Sequence, residues 1–223
     1  MHVEPPGHAP QSLKEFGKHY LMIVLGILTA VGIEQGLEAI HHHHLAEQAT
    51  RQIEEELQSN LAQARETQAQ NRQRLTEVKA TVEALVQDVH KKDESLATFA
   101  LRLDSIHVGT ATPMLRRDAW EAAIASQALS YVAPAKVRRF SEGYSAQRDT
   151  MQTILMTFSL GNWPGQIQNA AMQAKLGRVD QVGLLNALAS YELALAAIAG
   201  NERELEQAFS AAVKADAGGD AHR

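Results

Sequence analysis

Between Leu37 and Lys92 the chain contains neither glycine nor proline. No other feature restricts the fold as much. Fifty-odd residues without a breaker, rich in Ala, Leu, Gln, Glu and Arg, lose little entropy on becoming helical. At 1.5 Å per residue one helix here would run on the order of 80 Å. A helix of that length is not stable bare in water and has to be packed against something. Its packing face is legible: Leu57, Leu61, Ala64, Gln68, Asn71, Leu75, Val78, Val82, Leu85 and Val89 recur at alternating fours and threes. This is a heptad seam with a polar stutter at Gln68 and Asn71. Those two admit two readings: polar residues that fix register in a coiled coil, or residues that turn to solvent where the helix leaves its bundle. The second is preferred. Glu54, Glu55, Arg65, Glu66, Arg72, Arg74, Glu77 and Lys79 occupy the other faces, and Glu47–Arg51 and Asp88–Lys92 are favourable i,i+4 pairs.

Immediately before this segment lies "YLMIVLGILTAVGI", Tyr20 to Ile33, without a charge. A helix needs roughly 20 apolar residues to cross a bilayer core. Extending the run to residues 16–40 supplies the length at the expense of including Lys18, Glu34 and Glu38. Lys18 can snorkel to the headgroups, whereas Glu34 costs a few kcal/mol. A single transmembrane helix is the preferred reading, with a cleaved signal peptide and a buried core helix as alternatives. Lys14 and Lys18 precede the run and Glu34 and Glu38 follow it, so the N-terminus is expected in the cytoplasm and the rest of the chain beyond a bacterial inner membrane. Residues 1–15, with three of the six prolines, are expected to form a disordered tail, residues 41–216 a helical domain, and 217–223 a second disordered tail.

The remaining sequence adds further helices. Residues 93–106 read as a short helix with Asp93 at its N-cap, 107–113 as a loop, and 116–126 as a helix with Trp120 and Ile124 on one face. Pro134 suits the first turn of a helix whose seam is Val137, Phe140, Tyr144, Gln147, Met151, Ile154 and Phe158. "GNWPG", 161–165, ends it. A last helix from about Val179 carries Leu184, Leu188, Tyr191, Leu195, Ile198, Glu202, Leu205, Phe209 and Ala212. With aromatics at 5%, a sheet protein is excluded. The expected class is all-α: a transmembrane helix continuing into a long helix that belongs to an up-and-down bundle.

Four consecutive histidines, His41–His44, stand where the apolar run ends. Glu38 and His41 have Glu-x-x-His spacing, but no second such motif exists for a di-iron bundle. Glu38, His41 and His44 are the candidate metal ligands, for zinc or copper; a pH response is a further option. The preferred reading makes the histidines amphipathic residues at the headgroup boundary. Trp120, Tyr131, Tyr144 and Trp163 are read as core rather than a ligand pocket, and Arg116–Arg117 and Arg138–Arg139 as solvated pairs rather than anion or lipid sites. No nucleophile elbow, phosphate loop or basic stripe is present, and with no cysteine there is no thiolate chemistry. Catalysis, cofactors and nucleic-acid binding are therefore not expected.

The segment "KEFGKHYLMIVLGILTAVGIEQGLEAIHHHH" leading into "EELQSNL", and "DAWEAAIASQALSYV" followed by Tyr144, resemble shared regions of uncharacterised bacterial single-pass membrane proteins, over about half the chain. The resemblance implies an N-terminal anchor and a helical extracytoplasmic domain, and supplies no catalytic residues. The expected function is an anchored interaction or scaffold protein of the cell envelope. Its contacts would be membrane lipid and, through the helical seams, a second copy or a protein partner. The alternative is a ligand- or metal-sensing bundle using His41–His44.

Overall fold

A computed structural model describes residues 13–91, 108–178 and 180–214. All regular elements among them are helical. Helix α1 spans Leu13–Lys91, α2 Asp118–Ala125, a 3-10 turn η1 Ala128–Tyr131, α3 Pro134–Leu160, α4 Trp163–Lys175 and α5 Gln181–Val213. The all-α bundle read from the sequence is the observed architecture. At 79 residues α1 is roughly 120 Å long, so the apolar run and the seam form one continuous rod. It begins at Leu13, inside the stretch expected as tail. The expected helix at 93–106 and the tail at 217–223 lie outside the described residues.

The chain then folds back along α1. An extended strap, 108–117, precedes α2, and both run antiparallel to α1: Ala111 lies at Asn71, Arg116 at Asn60, Ala119 at Glu56 and Tyr131 at His42. η1 reverses the direction, with Gln127 in the left-handed region at φ 59°. Helix α3 then climbs beside α1, and α5 returns, packing against α1, α3 and α4.

The helix ends follow local chemistry. Pro134 opens α3, where its missing N–H is no loss. Gly161 separates α3 from α4, and a Cβ there would strike the indole of Trp163. The "GNWPG" break is therefore real but short, because its Trp163–Pro164 already form the first turn of α4. That helix was not anticipated. It ends in a Schellman motif: Gly177 adopts φ 74°, its N–H donates to Ala174 O, and Arg178 N donates to Gln173 O. Asp180 then caps α5 by accepting from Gly183 N at 2.9 Å.

Two apolar clusters form the core. The proximal cluster, nearer the start of α1, joins Ile53, Leu57 and Ala64 of α1 to Ala123, Ala128, Phe140, Leu205 and Phe209. The distal cluster joins Val78 and Leu85 to Ile167, Leu184, Leu188, Tyr191 and Leu195. All nine positions read as the seam of α5 are buried. In α2 the face differs from expectation: Ala123 is buried, whereas Ile124 is 52% exposed, because α2 meets α1 through its small side chain.

Candidate functional site

The polar stutter on α1 corrects the preferred sequence reading. Gln68 and Asn71 do not face solvent; they are 4% and 0% exposed. They belong to a polar stripe with Glu56, Asn60 and Thr67, also buried, that runs beside the apolar seam at helical spacing. Its role follows from the strap. An extended segment without a partner strand brings unsatisfied backbone N–H and C=O groups into the bundle. An asparagine amide presents an acceptor and a donor side by side, so it can satisfy both the N–H and the C=O of one extended residue. Asn71 Oδ1 accepts from Ala111 N at 2.8 Å and Asn71 Nδ2 donates to Ala111 O at 2.9 Å. Asn60 does the same for Arg116, at 2.9 and 2.7 Å. Tyr191 repeats the pattern from α5, its hydroxyl accepting from Gly109 N and donating to Gly109 O. Glu56 completes it: Oε2 accepts from Ala119 N at 3.0 Å, capping α2, and Oε1 accepts from the Tyr144 hydroxyl at 2.6 Å. Burial, with Glu56 nearby, pushes the Tyr144 hydroxyl up from its ordinary value, so it remains a donor.

Between the two apolar clusters lies a polar layer. Glu202 of α5, 1% exposed, accepts from Asn71 Nδ2 at 2.6 Å through Oε1. Glu202 Oε2 and Gln68 Nε2 have no hydrogen-bond partner among the described residues. Burial pushes the Glu202 carboxyl up to about 7, against the opposing pull of Asn71 and Arg72. Periodicity placed Glu202 in the seam but gave no sign of this environment. Glu56 and Asn60 were missed altogether, although their i,i+4 spacing next to an apolar seam was visible.

The histidines sit at the foot of the bundle. His42 stacks on Tyr131, ring centroids 3.8 Å apart and 12° between planes, and lies 3.8 Å from Glu38. His43 and His44 approach Glu47 at 3.2 and 3.9 Å. His41 tilts towards His42, 6.2 Å between centroids. The structure thus places Glu38 beside His42 and His44 beside Glu47, and does not gather Glu38, His41 and His44. Among the described residues no three His, Asp or Glu side chains form a group that could hold a metal. Of the arginine pairs, Arg116 contacts Asp118 and Arg117 contacts Glu121, both on the surface, and Arg139 Nη1 donates to Lys214 O. Trp120 stacks on Tyr144 and Trp163 packs edge-on to Phe158, which makes them packing residues.

Below the histidines α1 runs alone. Its most apolar stretch has a mean hydropathy of 1.7, and none of it is buried; α5 reaches 1.6, with 44% of that stretch buried inside the bundle. Both helices are long and apolar enough to cross a membrane, but the stretch of α1 is wholly bare, whereas that of α5 is partly covered by the bundle and supplies its seam. No protein family, curated protein or solved structure matches the chain.

Proposed function

We propose that the chain is a single-pass membrane protein of the bacterial envelope, and that its helical domain is a non-catalytic interaction or scaffold module. One observation carries the reading. Twelve large apolar residues from Phe16 to Ile40, among them Leu21, Ile23, Leu28 and Leu37, project from α1 with nothing of the bundle against them. Leaving them in water instead of an apolar phase costs on the order of 10–20 kcal/mol, at ~1.5–3 kcal/mol per fully buried side chain and about half of each exposed. That is as large as the whole stability of a typical domain, about 5–15 kcal/mol. Lipid removes the cost. Lys18 before the run and Glu34 and Glu38 after it favour a cytoplasmic N-terminus and an extracytoplasmic bundle.

The apolar seam of α1 is filled by α5 of the same chain, so a partner or second copy would meet the outer surface of the bundle. The strap locked by Asn60, Asn71 and Tyr191 suits a rigid module whose shape is read by a partner, and the shaft holds it at a fixed height. A C-terminal reporter active only outside the cytoplasm tests the topology; cytoplasmic activity would end the anchor-outward reading. Crosslinking in cells from single cysteines on the outer face tests the scaffold role, and recovery of the monomer alone at every position counts against it.

A further inference from the structure

The shaft leaves its apolar stretch at Ile40, and the bundle begins almost at once. Two residues on, roughly 3 Å along the axis, the ring of His42 lies flat on that of Tyr131. This stack fixes the height of η1. The interfacial layer of one leaflet is roughly 5–8 Å deep outside a hydrocarbon core of ~30 Å. η1 therefore falls inside that layer when residues 16–40 span the core.

The composition of this end fits that position. Tyr131 is 46% exposed although one face of its ring is covered. Leu129 of η1 is partly buried against the apolar cluster above it. Ser130, Ala133, Pro134 and Ala135 are exposed and uncharged. An apolar body with a polar tip is what places tyrosine at membrane–water boundaries. The four histidines, 100° apart around one helix, surround the shaft with polar rings at the same height. We propose that η1, with Tyr131 at its end, is a second membrane contact: a foot that rests in the phospholipid headgroup layer of the leaflet the shaft enters on leaving the core.

The inference rests on the anchor reading and adds a distinct claim to it. A protein held by the shaft alone is free to tilt and to rotate about the axis of that rod, since α1 continues unbroken into the bundle. One held also by the foot stands at a set angle, and its bundle presents one face outward.

The chain has no cysteine, so single labels can be placed without background. Ser130→Cys, Ile27→Cys and Ser190→Cys are each labelled with bimane. The full chain is reconstituted into phosphatidylethanolamine–phosphatidylglycerol vesicles carrying a spin label at the headgroup or at carbon 12 of the acyl chain. Ile27 marks the shaft and Ser190 the exposed surface of α5 far from the foot. The label at 130 is expected to be quenched at least twofold more by the headgroup probe than by the acyl probe. The label at 27 shows the reverse order, and the label at 190 responds to neither. Quenching at 27 with none at 130 overturns the foot and leaves the anchor standing; no quenching at 27 removes both. Adding Tyr131→Asp is expected to halve the headgroup quenching at 130 and leave that at 27 unchanged. Quenching at 130 that survives this substitution overturns the role given to Tyr131.

Discussion

Replacing Glu202 by glutamine should make the bundle more stable at neutral pH and change how its stability depends on pH. The carboxyl is buried between two apolar clusters, and burial raises it from its ordinary 4.5 to about 7. Below pH 4.5 it is protonated in both folded and unfolded chains and contributes no slope. Between 4.5 and 7 the unfolded chain releases the proton while the folded chain keeps it. The folded state then binds more protons, and stability falls as pH rises. Above 7 both are ionised and the loss is complete. At ~1.4 kcal/mol per pH unit the total is about 3 kcal/mol. In Glu202→Gln the amide oxygen still accepts from Asn71 Nδ2, and nothing ionises. Relative to the variant, the wild type should lose about 3 kcal/mol between pH 4.5 and pH 8. Urea unfolding in a non-ionic detergent, followed by tryptophan fluorescence, measures this. Both tryptophans of the chain, Trp120 and Trp163, lie in the bundle, so the helical shaft does not contribute to the signal. Because other titrating groups are common to both proteins, the difference isolates Glu202. Parallel stability curves across this range would refute the claim that burial of this carboxyl dominates its titration.

Other substitutions probe the strap and the core. Asn71→Ala removes both hydrogen bonds to Ala111 and the partner of Glu202, and should cost about 2–4 kcal/mol in the same unfolding assay, because Ala111 N and the buried Glu202 carboxyl lose their partner while Ala111 O keeps only the Thr110 hydroxyl. Asn60→Asp keeps the acceptor for Arg116 N but puts a second acceptor against Arg116 O. It should destabilise by more than 1 kcal/mol at pH 7 and recover at low pH as the carboxyl regains a donor. Tyr191→Phe should cost about 1–3 kcal/mol and speed amide hydrogen exchange at Gly109 relative to the core of α5; unchanged exchange would show that the strap is held elsewhere. Phe209→Ala, in the proximal cluster, should cost about 3–5 kcal/mol. Changing His41–His44 to alanine should leave the metal content of the purified protein as it was, measured by elemental analysis; a loss of bound zinc or copper would revive the sensing alternative.

Periodicity was enough for the three long helices taken one at a time. The absence of breakers from Leu37 to Lys92 predicted the rod, fours and threes located the buried faces of α1, α3 and α5, and the uncharged run from Tyr20 to Ile33 marked the stretch that the bundle leaves bare. These are local properties: side chains 3.6 residues apart share a face whatever lies opposite. What lies opposite was not legible. Gln68 and Asn71 read as solvent-facing because polar residues in a seam usually are, and only the strap, some 40 residues further along the chain, explains why they are buried. Helix α4 escaped because its first turn contains the Trp163–Pro164 that reads as a break, and its identity depends on Ile167, Ala171 and Ala174 finding the distal cluster. The height of η1 was equally hidden, since nothing in "QALSYV" says that its tyrosine will lie on His42, 89 residues earlier. Helix formation and amphipathicity are determined by the sequence within a few turns. Which polar groups are desolvated, and what then satisfies them, is decided only when distant segments are brought together.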